Sequence, residues 1–230
     1  MIKVIIPASG AGARFGASIP KQFCELNGIP ILKRTIAAFD CMDEIVDEIV
    51  VAVPQGYVQT VADYGFERVR HIVEGGETRV YSVYSALKIL PPDAQIVLIH
   101  DGVRPFVTED IVHAVVDAVK KHGAAVACAP VTDTIKSAAV SGKIESTLDR
   151  SQLWSAQTPQ GFTYDIILKA YQQAEKDGIL SQVTDDSALA ERMGVPVFVV
   201  PSSPGNKKIT TMHDMAVAEA LLARGGGRVK

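Results

Sequence analysis

The sequence is short of cysteine, of aromatic residues and of any long apolar run. Its three cysteines, Cys24, Cys41 and Cys128, are odd in number and nowhere spaced C-x-x-C. That argues against a disulfide framework and against a cysteine-rich zinc site. No apolar stretch approaches the ~20 residues needed to cross a bilayer. The opening Met1-Ile2-Lys3-Val4-Ile5-Ile6-Pro7 lacks the long apolar centre and the cleavage site of a signal peptide. There is no basic excess either: the net charge is −3, so nothing points to a nucleic-acid footprint. A cytoplasmic protein with neither membrane nor nucleic acid as partner is expected. Internal repeats and long linkers are also missing.

What is present is core-forming material. Hydrophobic residues make up 47% of 230 residues, which is enough to bury a sizeable interior. Short apolar runs predict strands at Val4–Ile6, Ile49–Val53, His71–Val73, Ile96–Ile99, Ala125–Ala129, Trp154–Gln157 and Val197–Val200. Several are apolar throughout, which suits strands covered on both faces. Between them, Val80, Val83, Tyr84 and Leu87 share a helical face. So do Ile111, Val112, Val115, Val116 and Val119, after a Thr108 cap followed by Glu109 and Asp110, and so do Ile166, Ile167, Ala170 and Tyr171. Alternation of this kind predicts an α/β fold with a mainly parallel, twisted sheet and helices on both faces. Ligands in such sheets bind beyond the carboxyl ends of the strands.

Residues 133–150 break the alternation. Ser141-Gly142 marks a turn between two polar, β-leaning runs, so this segment reads as a projecting β-hairpin arm. A lone hairpin is marginal in water, and a second copy of the chain is the simplest partner for it. Residues 225–230 read as a frayed tail.

The loop after the first strand carries the strongest chemical signal, Pro7-Ala8-Ser9-Gly10-Ala11-Gly12-Ala13-Arg14 and then Pro20-Lys21-Gln22. Gly10 and Gly12 let backbone N–H groups approach a ligand, the neighbouring side chains are small, and Arg14 and Lys21 add two cations. A triphosphate suits that combination; a plain strand-to-helix turn would not require it. A dinucleotide fingerprint fails because Phe15 stands where its third glycine belongs, and no Walker Gly-Lys-Ser/Thr follows. Asp101, at the end of an apolar strand, could hold Mg²⁺ or could cap the next turn and pair with Arg104. His100 reads as a packed, hydrogen-bonded histidine rather than a base. Glu74-Gly75-Gly76-Glu77-Thr78-Arg79, with Ser82 beyond, could admit the edge of a base or simply start a helix. Arg150, Lys207 and Lys208 are ordinary surface cations by themselves. Asp185 and Asp186 after Thr184 read first as a helix start, and as metal ligands second.

Taken together, these pieces resemble the 2-C-methyl-D-erythritol 4-phosphate cytidylyltransferases of the non-mevalonate isoprenoid pathway. The resemblance runs through Pro7–Arg14, Pro20-Lys21-Gln22, Gly75–Arg79, His100-Asp101 with Arg104-Pro105, Asp133–Lys136, Asp149-Arg150 with Leu153-Trp154, Thr158-Pro159-Gln160, Thr184–Asp186 and Lys208-Ile209-Thr210, in the expected order along nearly the whole chain. It implies a Rossmann-like fold in one nucleotidyltransferase domain spanning 1–230, a homodimer locked by residues 133–150, and Mg²⁺ dependence. CTP and a sugar-alcohol phosphate are the implied substrates. Arg14 and Lys21 would stabilise the transition state, and Arg150 and Lys208 would position the sugar phosphate. Asp101, Arg104 and Thr134 would be further substrate contacts, with Thr134 and Arg150 reaching the neighbouring subunit's site. Ala8, Ser9, Gly76, Glu77 and Ser82 would form the cytidine pocket. The chain departs from the family pattern at Gly102-Val103 and at Lys207, and a single enzyme is expected rather than the fused two-enzyme form. A ribitol-5-phosphate cytidylyltransferase is the near alternative, and a non-catalytic nucleotide-binding subunit on the same fold the more distant one. A nicotinamide-dependent oxidoreductase comes third.

Overall fold

Strand β1 (Ile2–Pro7) is apolar apart from Lys3, and the fold is assembled around it. The computed structural model describes residues 1–10, 15 and 19–225. After β1 come a short antiparallel pair, β2 (Glu25–Leu26) and β3 (Ile29–Pro30), then α1 (Ile31–Asp40), β4 (Glu48–Val53), α2 (Val58–Ala62) and β5 (Val69–Glu74). Next are α3 (Arg79–Ile89), β6 (Ile96–Ile99), α4 (Glu109–His122) and β7 (Ala124–Pro130). The chain then forms β8 (Lys136–Ala138), β9 (Ile144–Thr147), β10 (Trp154–Thr163), α5 (Tyr164–Lys176), α6 (Ser187–Arg192), β11 (Phe198–Pro201) and α7 (Met212–Ala223).

Seven strands form one sheet in the order β11-β7-β10-β6-β1-β4-β5. All neighbours run parallel except β10, which is antiparallel to β6 and β7. The mainly parallel sheet expected from the apolar runs is therefore present. Alternate residues of each central strand enter opposite cores, as the two-residue side-chain period requires. Val4 and Ile6 join Ile36, Phe39, Val112 and Val115 on the face covered by α1 and α4. Ile5 joins Val83, Leu87, Ile167 and Tyr171 on the face covered by α3 and α5. Burying one such side chain contributes about 1.5–3 kcal/mol. The sheet centre thus carries the stability, and the loops at its edge are left for chemistry.

The helical stripes over 80–87, 111–119 and 166–171 fall in α3, α4 and α5. The elements not anticipated have identifiable reasons. Helix α1 begins directly after Pro30 with no side-chain cap. Helix α7 is apolar nearly all round, so it shows no stripe; its start is a capping box in which Thr211 and Asp214 satisfy each other's backbone N–H groups. Strand β10 runs on to Thr163, past Gln157, because a register irregularity between Ala156 and Gln160 lets the sheet tolerate Pro159. Residues 226–230, read as a frayed tail, lie outside the described residues.

The hairpin is where it was expected. Strands β8 and β9 pair with each other in a separate two-stranded sheet, with Gly142 at φ 84° in the turn. Ile135, Val140, Ile144, Leu148 and Trp154 are exposed along the arm and its base. Among the described residues no helix is long and apolar enough to cross a membrane.

Candidate active site

The carboxyl ends of β1, β5 and β6 lie on one edge of the sheet, and the loops that follow them meet there. A cavity at this edge is lined by Pro7, Ala8, Gly10, Lys21, Gln22, Arg79, Asp101, Val103 and Lys208. Gln22 is buried and its Nε2 donates to the carbonyl of Ala8, fixing the start of the glycine loop to the turn that carries Lys21. Gly12 and Arg14, both predicted here, lie outside the described residues.

Gly75, Gly76 and Ser82 form a wall against Ser9, outside the residues that line the cavity. The hydroxyls of Ser9 and Ser82 are hydrogen-bonded across it. A Cβ on Gly75 would collide with both serines, so backbone at that point must approach without a side chain. Gly102 is a second close approach: a Cβ there would lie 2.9 Å from that of Ala8 and 3.1 Å from Leu32 Cδ1. The departure from the family pattern at this position therefore sits against Ala8 at the start of the glycine loop. Glu77 is exposed, two residues before α3 begins.

Asp101 is the electrostatic centre. Its Oδ1 accepts from Arg79 Nε at 2.8 Å, and its Oδ2 is 2.9 Å from Lys208 Nζ and 3.3 Å from Arg104 Nε. Burial alone would raise the Asp101 carboxyl, but Arg79, then Lys208 and Arg104, hold it well below the usual carboxylate range. The pairing of Asp101 with Arg104 is thus one of three ion pairs on this carboxylate. Direct ligation of a divalent cation by Asp101 does not fit this arrangement, because both oxygens already face cations. Nor do the described residues contain a group of three His, Cys, Asp or Glu side chains that could hold a metal.

His100 is fully buried, and burial pushes its imidazole down to about 4 against the hydrogen bond to Arg104. Nε2 lies 3.0 Å from the Arg104 carbonyl, which can accept but not donate, so Nε2 carries the proton. The Thr158 hydroxyl accepts from Asp101 N at 3.1 Å and so donates to His100 Nδ1 at 3.1 Å. A neutral, doubly bonded ring is a strut, not a base.

Thr-Pro-Gln, met in the sequence as a bare motif, is a bracket. Thr158 fixes the end of β6 through Asp101 and His100, while Gln160 Oε1 accepts from Asp186 N at 3.1 Å and Ser187 N at 3.0 Å at the start of α6. Asp185 accepts from Ala188 N and from the Ser187 hydroxyl, so Thr184-Asp185-Asp186 is a helix start, as first read. The adjacent lysines diverge: Lys208 goes to Asp101, and Lys207 lies 3.2 Å from Asp214 Oδ1. Asn206 ties this loop down through Nδ2 to the Thr158 carbonyl at 2.7 Å.

Arg79, Gln22 and Asn206 were given no role from sequence, and Asp186 only that of a helix start. Arg79 stood inside the Glu74–Arg79 run, which could equally start a helix. The signal for Asp186 was the second of two adjacent acids where one suffices for a cap. Thr134 and Arg150 do not join the cavity within the chain. Both are exposed on the arm, where Arg150 Nη1 donates to the Thr132 carbonyl at 2.9 Å.

Comparison with known proteins gives the family. The family model described as 2-C-methyl-D-erythritol 4-phosphate cytidylyltransferase matches residues 2–224. The protein of that name from Syntrophus aciditrophicus is 44% identical over 99% of this chain and 98% of its own length. The one from Symbiobacterium thermophilum is 43% identical over 96% and 92%. The crystal structure of 4-diphosphocytidyl-2C-methyl-D-erythritol synthase from Anaerococcus prevotii superposes with a TM-score of 0.85 at 31% identity, covering 97% of this chain and 98% of that one. A glycine loop, an ion-paired aspartate at the sheet edge and a projecting arm are thus joined to a match along almost the full length, and the chain belongs to the 2-C-methyl-D-erythritol 4-phosphate cytidylyltransferase family.

Proposed function

We propose that the chain transfers CMP from CTP to 2-C-methyl-D-erythritol 4-phosphate, giving 4-diphosphocytidyl-2-C-methyl-D-erythritol and pyrophosphate in isoprenoid precursor synthesis. The observation that carries this reading is the cavity shared by Gly10, Lys21, Arg79, Asp101 and Lys208. Cations stand beside a backbone cradle for phosphates.

The chemistry follows from the charges. A phosphate monoester has its second pKa near ~6 and is mostly dianionic at neutral pH, so it attacks without a general base. Its oxygen forms a bond to the α-phosphorus of CTP as the bond to the β-phosphate bridging oxygen breaks, and pyrophosphate leaves. What must be overcome is the approach of two anions, and fixed cations do that. Arg14 and Lys21 take the charge that develops on the transferring group. Lys208 and Arg104, oriented by Asp101, receive the sugar-alcohol phosphate. Ala8, Ser9, Gly10, Gly12, Gly76, Glu77 and Ser82 hold the cytidine and its phosphates. Mg²⁺, bound together with the nucleotide, would supply charge neutralisation there.

The chain acts as a cytoplasmic homodimer, with the arm of residues 133–150 bringing Thr134 and Arg150 to the neighbouring subunit's cavity. Support comes from the exposed Ile135, Val140, Ile144 and Leu148 on the arm, which a partner would cover, and from three free thiols, which suit a reducing compartment.

A pyrophosphate-release assay crossing four nucleoside triphosphates with 2-C-methyl-D-erythritol 4-phosphate and ribitol 5-phosphate tests the reading. Release with CTP and the erythritol phosphate is expected to dominate. Preference for ribitol 5-phosphate, or no release from any pair, would refute it.

A further inference from the structure

Arg79 lines the cavity, yet much of what holds it lies elsewhere. Its Nε faces Asp101 Oδ1 at 2.8 Å, and its Nη2 stands 2.7 Å from Asp186 Oδ2. Asp186 is fully buried at the start of α6. Its Oδ1 accepts a 2.5 Å hydrogen bond from the hydroxyl of Tyr171, which is fully buried in α5. Its main chain is held by Gln160. Neither Asp186 nor Tyr171 lines the cavity.

We infer that Asp186 and Tyr171 are positioning residues for the transfer: they hold the Arg79 guanidinium, and Arg79 in turn sets where the Asp101 carboxylate stands between Lys208 and Arg104. The inference rests on the proposed role of Asp101 and Lys208 at the sugar-alcohol phosphate.

The guanidinium is a rigid planar fork that pairs readily with one carboxylate through two N–H groups. Here its Nε and Nη2 are divided between two carboxylates. Divided in this way, Arg79 occupies one oxygen of Asp101 and leaves the other to Lys208 and Arg104. Without the charge on Asp186, Arg79 is free to close on Asp101 with both groups and draw Oδ2 off Lys208. Stability alone gives no reason for such a pair, since an apolar replacement of equal volume holds a fold about as well. Tyr171 stays a neutral donor because burial, and then Asp186, push its hydroxyl well above its ordinary range. Arg79 is held charged against its own burial by Asp186 and Asp101.

The test is steady-state kinetics on folded Asp186→Asn and on the milder Tyr171→Phe, alone and combined with Asp101→Asn, with a crystal structure of Asp186→Asn. Misplacing a reacting group by about 1 Å can cost on the order of 10²-fold, so a partial shift is expected to cost about tenfold in kcat/KM for the alcohol phosphate. KM for CTP is expected to stay within about threefold, and the loss to disappear in the Asp101→Asn background, as coupled residues require. Wild-type kinetics in both single variants, or a loss of equal size with and without Asp101→Asn, would overturn the inference. If the wild-type chain releases no pyrophosphate, the functional reading fails by itself. The crystal structure then decides the rest: Arg79 closed on Asp101 supports the relay, and Arg79 and Asp101 unmoved overturn it.

Discussion

Arg104 and Arg150 illustrate two ways of holding a cation. Arg104 is buried at the sheet edge, its Nε on Asp101 and its Nη1 donating to the Asn206 carbonyl at 2.9 Å. Arg150 is exposed at the foot of the arm and donates to the Thr132 carbonyl. The first is oriented before any substrate arrives; the second sits on a hairpin whose apolar residues face outward. Cavity charges held by buried partners are preorganised, whereas the arm's Arg150 is exposed to solvent.

The largest effects are expected at the glycine loop and Lys21. Arg14→Ala and Lys21→Ala are each expected to lower kcat by roughly 10²-fold or more, as removal of one preorganised donor does. Steady-state kinetics on folded variants check this, and near-wild-type turnover in both would remove the basis for calling the cavity catalytic.

Acid separates the two regions next. The His100 ring is held neutral down to about 4, against 6.5 for the free side chain. A lowered folded-state pKa means that the unfolded chain binds the extra proton first, so stability is full above about 6.5 and declines as pH falls toward about 4. From pH 7 to pH 5 the loss is about 2 kcal/mol from this ring alone. Thermal melts should show it, and His100→Gln should flatten the dependence. An unchanged slope in that variant would mean another group is responsible.

A smaller effect is expected on the arm. Arg150→Ala should lower kcat/KM for the sugar-alcohol phosphate about tenfold, the scale of one hydrogen bond to a charged group, with KM for CTP unchanged. An equal rise in both KM values would place Arg150 outside the alcohol-phosphate contacts. Smallest is Gly75→Ala, whose methyl must displace Ser9 and Ser82 and should raise KM for CTP about fivefold, the low end of overpacking costs. A KM for CTP equal to wild type would show that this wall does not touch the nucleotide.

The difference between the regions also governs what the sequence revealed. Strands β1, β4 and β6 were legible because their apolar runs are short for a helix and suit strands covered on both faces. The arm was legible from its lack of apolar area and its Ser141-Gly142 turn. The glycine loop announced itself through Gly10 with Lys21 beyond, but nothing local marked Gln22 as its anchor, because the hydrogen bond to Ala8 joins residues fourteen apart around a turn. The Asp101 network was hidden for a deeper reason. Arg79, Asp101, Asp186 and Lys208 are scattered through the chain and meet at one edge of the sheet. Each has an ordinary local explanation, as first-turn charge, turn cap, helix start or surface lysine. Strand order creates the cluster, and local patterning does not encode strand order.

In the proposed dimer a working site joins one chain's buried cavity to another chain's arm. The direct measurement is subunit mixing: Lys21→Ala and Arg150→Ala chains, each impaired alone, are unfolded together, refolded and assayed. Random pairing makes half the dimers mixed, and one of the two sites in each mixed dimer is wild type, so activity should rise to about one quarter of the wild-type value. Activity that stays at the average of the two parent variants would contradict the claim and place Arg150 in its own chain's site.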